Sequence, residues 1–141
     1  MIPRILTDIV VQDIAEGGSI IVLYGARQVG KTTLIATLLK ERGIRHLALT
    51  ADDIRTSDVF SSRDLHKLEM LVEGYPLVFL DEAQRIADVG VSLKLLHDAH
   101  PEIALVITGS SSLEMASKTS ESLAGRARTR EMYPLALSEL A

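Results

Sequence analysis

The chain is expected to fold as an α/β domain, a mainly parallel sheet with helices on both faces. Three features point there. Short apolar runs alternate with stretches of helical spacing along the chain, the order that builds strand–helix–strand crossovers. The runs Ile20 to Tyr24, Leu77 to Leu80 and Ile103 to Ile107 show no polar alternation, as strands covered on both sides require. A loop bounded by glycines and ending in Lys31-Thr32 stands between the first of these strands and the next helix.

The elements follow in order. Ile2, Leu6, Val10 and Ile14 recur every four residues, with Ile5 and Ile9 beside them. This is an amphipathic helix, and Gly17-Gly18 stops it. Ser19 to Tyr24 is too short and too β-branched for a helix and reads as a strand. Thr32 to Arg42 regains helical spacing through Leu34, Ile35, Leu38 and Leu39, with Gly43 just past its end. Arg45 to Thr50 is a second strand. The polar stretch Asp52 to Ser62 follows, and Ser62 or Asp64 caps a helix that runs to Val72 and ends at Gly74. Tyr75 to Leu80 is a third strand leading straight into Asp81-Glu82. A helix around Val91 to Ala99 precedes Pro101, and Ile103 to Thr108 is a fourth strand. Short helical turns over Leu113 to Leu123, a fifth strand over Arg126 to Met132 and an N-cap at Ser138 complete the reading. No repeat, linker or low-complexity tract interrupts residues 1–141, so one domain is expected.

Composition narrows the function classes. The 141 residues suffice for one core without covalent staples, and cysteine is absent. Disulfide frameworks, thiolate metal sites and cysteine nucleophiles are therefore excluded. Fifteen Lys+Arg against nineteen Asp+Glu give a net charge of −4, so no global basic field draws the chain to nucleic acid or membranes. Two Phe, three Tyr and no Trp argue against a base-stacking platform. No cationic segment leads into a signal-like apolar stretch, and every apolar run is far below the roughly 20 residues of a membrane span. A cytoplasmic location is expected.

Gly25-Ala26-Arg27-Gln28-Val29-Gly30-Lys31-Thr32 satisfies G-x-x-x-x-G-K-[ST] at every fixed position, with Thr33 following. The residue types suit phosphate. Glycines let consecutive N–H groups curl around its oxygens, and the helix N-terminus adds partial positive charge. Lys31 can reach the β- and γ-phosphates, and Thr32 offers its hydroxyl to Mg²⁺. Arg27 and Gln28 fill free positions of this phosphate loop. The pattern implies a P-loop nucleotide fold. About 50 residues on, Leu77-Val78-Phe79-Leu80-Asp81-Glu82 places two acids at the end of a strand, where open α/β sheets bind ligands. Asp81 is expected in the Mg²⁺ shell and Glu82 as the base that orients and polarises the attacking water. The competing reading has both acids capping the next helix. Guanine readers use an Asn-Lys-x-Asp loop, and asparagine is missing. A substrate kinase has no need of the adjacent Glu. ATP hydrolysis is the resulting expectation.

Thr108-Gly109-Ser110-Ser111-Ser112 closes the fourth strand, and Thr108 or Ser110 is expected to sense the γ-phosphate. The alternative is a loop that caps the next helix. Arg126, Arg128 and Arg130 alternate, so a strand sets them on one face. They are open to three readings: a charged edge strand, an arginine finger acting in trans on a neighbouring copy, with Arg126 foremost, and an anion patch for nucleic acid. His97 and His100 sit three apart with no third metal ligand nearby and read as a solvated face. Asp52-Asp53 reads as a turn or cap.

These segments, together with Leu80-Asp81-Glu82-Ala83-Gln84, Leu123-Ala124-Gly125-Arg126, Tyr133-Pro134-Leu135 and Ser138-Glu139, resemble the AAA-type ATPase domain of a prokaryotic family of predicted ATPases, usually followed by a C-terminal DUF4143 region. The resemblance covers nearly the whole chain. It implies a three-layer α/β/α P-loop NTPase whose five strands run in the order 5-1-4-3-2, with Thr108 to Ser110 in the sensor position. ATP and Mg²⁺ are the expected cofactors, and a homo-oligomer with Arg126 acting in trans and a protein partner are open expectations. Relatives are longer, so this chain is expected to lack their helical lid, second sensor arginine and C-terminal region. The rival expectation is a nucleotide-dependent switch with negligible turnover. A nucleic-acid motor module is disfavoured by charge and aromatic content.

Overall fold

In a computed structural model, residues 4–25, 31–110 and 127–132 are described. Helix α1 (Arg4–Glu16) leads into β1 (Ile20–Gly25), followed by α2 (Lys31–Glu41), β2 (Leu47–Thr50), α3 (Ile54–Ser61) and α4 (Leu65–Val72). Then come β3 (Leu77–Asp81), a short 3₁₀ turn (Ala83–Arg85), α5 (Val89–Ala99), β4 (Ala104–Ser110) and β5 (Ala127–Met132). The strands form one sheet in the order β2-β3-β4-β1-β5, and every pairing is parallel. Read from the other edge this is the expected 5-1-4-3-2.

The apolar runs earn their place by being buried on both sides. Ile20 and Val22 of β1 join Val78, Leu80, Leu105 and Ile107 in one core, against Phe60, Leu68, Leu93 and Leu96 of α3, α4 and α5. Their neighbours Ile21 and Leu23 point the other way, with Leu77, Phe79 and Val106, onto Val10 of α1 and Ile35, Leu38 and Leu39 of α2. Side chains alternate across a strand, so a strand with no polar face needs a helical layer above and below. That is the three-layer architecture.

Differences from the expected elements have local causes. The polar stretch after β2 contains a helix, α3. Asp53 caps it by accepting a hydrogen bond from Arg55 N–H at 2.8 Å, and Thr56 and Phe60, one turn apart, are its buried residues. A single large apolar anchor gives too little periodicity to read from sequence. Of the two candidate caps for α4, Asp64 accepts from Lys67 N–H at 3.3 Å. Ser62 instead ends α3, its hydroxyl donating to the Val59 carbonyl at 2.6 Å. Gly74 follows α4 at φ +85°, a left-handed conformation that glycine adopts without Cβ strain. The turns expected over Leu113 to Leu123 and the cap at Ser138 lie outside the described residues.

Candidate functional site

Parallel strands gather their carboxyl ends at one edge of the sheet. Gly25, the last residue of β1, lies opposite Ser110, the last of β4. Asp81 ends β3, on the other flank of β4. The chain leaves β1 at Gly25 and enters α2 at Lys31, so the expected phosphate loop starts from this same edge. Lys31, Thr32 and Thr33 form the first turn of α2, whose unpaired N–H groups and partial positive charge suit an anion. Ala26, Arg27, Gln28, Val29 and Gly30 lie outside the described residues, as do the side chains of Lys31, Thr32 and Ser110.

The two acids are tied to β4 by one hydroxyl. Thr108 is fully buried. Its Oγ1 donates to Asp81 Oδ1 at 2.5 Å and accepts from Glu82 N–H at 3.2 Å. On the other side, Ala51 N–H donates to the Asp81 carbonyl at 3.0 Å. The strand end carrying the acids is thus held from both neighbouring strands. Glu82 adopts φ +57°, ψ +42°, a left-handed conformation that costs a non-glycine residue about 1–2 kcal/mol and is characteristic of functional sites.

The helix-capping alternative for these acids does not hold. Asp81 accepts from Thr108, and Glu82 precedes the 3₁₀ turn without a side-chain capping bond. Glu82 Oε2 instead accepts from Gln84 Nε2 at 2.9 Å and lies 3.8 Å from Arg85 Nε. Arg85 in turn reaches Asp52 Oδ1 at 2.7 Å. Gln84, Arg85 and Asp52 escaped the sequence reading as site neighbours. Gln84 and Arg85 follow Asp81-Glu82 directly, but the Arg85–Asp52 pair joins positions 33 residues apart and leaves no trace in local pattern. Of the Asp52-Asp53 pair, Asp53 is the expected cap.

Arg126 lies outside the described residues. Arg128 does not face a ligand site: it donates to Asp13 at 3.1 Å and to Glu16, both on α1. Those carboxylates, Glu16 first, raise its pKa further. It fastens the edge strand β5 to α1, a role none of the three readings contained. The solvated-face reading of the histidines is also corrected. His97 is buried, because α5 turns this side toward the core. His100, the C-cap of α5, sits between Glu69 (2.5 Å) and Glu102 (3.1 Å).

An Mg²⁺ ion needs hard oxygen donors and usually takes only one or two carboxylates, with phosphates and water completing its shell. Asp81, with one oxygen held by Thr108, fits that demand. Among the described residues no group of three or more His, Cys, Asp or Glu is arranged to hold a metal alone, and none of their helices is long and apolar enough to cross a membrane.

Comparison with known proteins decides the family, for residues 17–141 match the profile of the AAA domain. The chain belongs to the AAA-domain family. The uncharacterized protein MJ1637 of Methanocaldococcus jannaschii is 32% identical over 130 residues, covering 85% of this chain and 27% of its own length. This AAA domain therefore spans about a quarter of that relative. Two solved structures share the fold. AMPPCP-bound DnaA from Aquifex aeolicus superposes with a TM-score of 0.61 at 18% identity, over 92% of this chain and 46% of its own. A candidate primosome component from Streptococcus pyogenes serotype M3 gives 0.63 at 17% identity, over 92% and 78%. At those identities the likeness speaks for the AAA fold alone.

Proposed function

We propose that this AAA domain binds ATP with Mg²⁺ and hydrolyses it to ADP and phosphate, driving a conformational change. The observation that carries the reading is the Asp81–Thr108–Glu82 unit at the carboxyl edge of the sheet, beside the strand end from which the G-x-x-x-x-G-K-T loop departs. The AMPPCP in the DnaA structure, an ATP analogue on the same fold, supports nucleotide binding. In this reading Gly25 to Thr33 cradle the phosphates, Lys31 neutralises the β- and γ-oxygens, and Thr32 and Asp81 hold the metal, which would offset developing charge. Glu82 orients the water. Thr108 has its only hydroxyl hydrogen committed to Asp81, which leaves Ser110 as the hydroxyl for sensing the γ-phosphate. Arg126 serves a neighbouring copy's nucleotide.

A second reading, a nucleotide-dependent switch with negligible turnover, is favoured by one observation: the Glu82 carboxylate is already engaged by Gln84 and Arg85. Both readings require binding. ATP·Mg²⁺ should raise the melting temperature, and Lys31→Ala should abolish the rise; no rise in the wild type defeats both. Phosphate release followed across protein concentration then separates them. Turnover that climbs with concentration and disappears in Glu82→Gln means hydrolysis completed by a neighbour, whereas binding without turnover means a switch.

A further inference from the structure

The amino edge of the sheet, opposite the acids, carries a groove of about 660 Å³. Helices α4 and α5 both terminate on it, at Glu73 and His100. The last turn of each helix leaves carbonyl oxygens unpaired and concentrates partial negative charge there. Three carboxylates, Glu69, Glu73 and Glu102, line the same groove, and no lysine or arginine does. Glu69 and Glu102 grip His100 from either side and draw its pKa up, the Glu69 hydrogen bond contributing most. Glu73 is exposed and makes no ion pair among the described residues. The site, which His66 also lines, therefore favours positive charge and already draws His100 toward its cationic form.

The groove also has an apolar component. Ile103 lies along it half-buried, and Met70 stands 66% exposed on its α4 wall. A thioether adapts readily to an incoming apolar group. The groove's own ring takes a guanidinium already: Arg45 sits over Tyr75 at 5.1 Å. Negative potential repels nucleic acid and anionic lipid headgroups. A polypeptide is left as the macromolecule that can bring cation and apolar surface together.

We propose that this groove docks a cationic, amphipathic segment of a partner polypeptide, an arginine or lysine entering between the ends of α4 and α5 while a neighbouring apolar side chain packs on Met70 and Ile103. The surface is separated from Asp81 by the five residues of β3, about 16 Å at strand rise. Docking therefore does not depend on the nucleotide reading.

The test is an amide-resonance titration of the full isotope-labelled chain with three short capped peptides, alternating leucine with arginine, serine or glutamate. The arginine peptide is expected to shift the amides of Glu69 to Gly74 and of His100, Glu102 and Ile103, and the other two to leave them in place. Glu73→Lys should weaken binding roughly tenfold, and Glu73→Gln roughly threefold, as removal of partly exposed charge contacts does. Both changes are at an exposed position, and the unliganded spectra serve as the check that the fold is kept. Equal binding of the serine peptide, shifts confined to other surfaces, indifference to Glu73→Lys, or no binding at all would each overturn the assignment.

Discussion

Replacing Thr108 by valine keeps the shape of the side chain and removes both hydrogen bonds of its hydroxyl. The bond to the Asp81 carboxylate is charge-assisted and short, 2.5 Å, a class worth about 1.5–3 kcal/mol. The bond from Glu82 N–H, at 3.2 Å, adds about 1 kcal/mol. Asp81 is half-buried, so water recovers part of the first contribution. A net loss of about 2–3 kcal/mol is expected for Thr108→Val, or roughly 6–12 °C in melting temperature for a chain of this size. Urea unfolding followed by far-UV circular dichroism measures it, with an unchanged m-value as the sign that only stability has moved. Thr108→Ser keeps the hydroxyl and loses one methyl, so it should cost about 1 kcal/mol. In an Asp81→Asn background the valine penalty should shrink, because the charged acceptor is already gone. Valine within about 0.5 kcal/mol of wild type would refute the reasoning, as would serine and valine being equally damaging.

Three further outcomes follow from other parts of the structure. Phe60→Ala should destabilise by about 3 kcal/mol in the same urea assay, since Phe60 is fully buried and anchors α3; a loss under about 1 kcal/mol would mean α3 is not packed there. Arg128→Ala should lower the melting temperature by removing a hydrogen bond from the nearly buried carboxylate of Asp13 and one from Glu16, and Asp13→Asn should reduce that effect, which a double-mutant cycle reads directly. His100 has its folded pKa above the ordinary 6.5, through Glu69 first and then Glu102. Its stabilisation is therefore full below about pH 6.5 and is lost as pH rises through the folded value. Midpoints measured upward from pH 6 should fall more steeply in wild type than in His100→Gln, and parallel curves would contradict the bridge.

What could be read from the sequence was whatever depends on short-range pattern. β1, β3 and β4 announce themselves because both of their faces are buried, so apolar residues run unbroken from Ile20, Leu77 and Ile103. The edge strand β2 has only half-buried or exposed residues, and its start at Leu47 rather than Arg45 reflects that weaker signal. The place of Asp81 and Glu82 at a strand end was legible because an unbroken apolar run leads straight into them. The partners of those acids were not. Thr108 lies 27 residues from Asp81 and Asp52 lies 33 from Arg85, and only sheet order brings them together. Arg128 shows the opposite failure. A strand was expected over Arg126 to Met132 and β5 covers Ala127–Met132, but the acids that face Arg128 lie on α1, more than a hundred residues earlier.

The grip on Glu82 sets a quantitative limit on the switch reading. Gln84 holds the carboxylate at 2.9 Å, a hydrogen bond to a charged group worth about 1.5–3 kcal/mol. Arg85, at 3.8 Å and already spent on Asp52, adds little across partly exposed surface. Freeing Glu82 to face a water therefore costs about 2 kcal/mol, and each 1.36 kcal/mol on a barrier is a factor of about ten in rate. If the domain hydrolyses ATP, this hold would slow turnover by roughly tenfold to a hundredfold without abolishing it. If hydrolysis is the function, Gln84→Ala should raise kcat about tenfold while nucleotide affinity stays unchanged, because the interaction removed restrains the base and leaves the phosphate cradle alone. Steady-state phosphate release with a separate binding titration provides both numbers. A fall in kcat at constant affinity would mean that Gln84 aims Glu82 at the water, and the left-handed backbone at Glu82 would then be part of that aim.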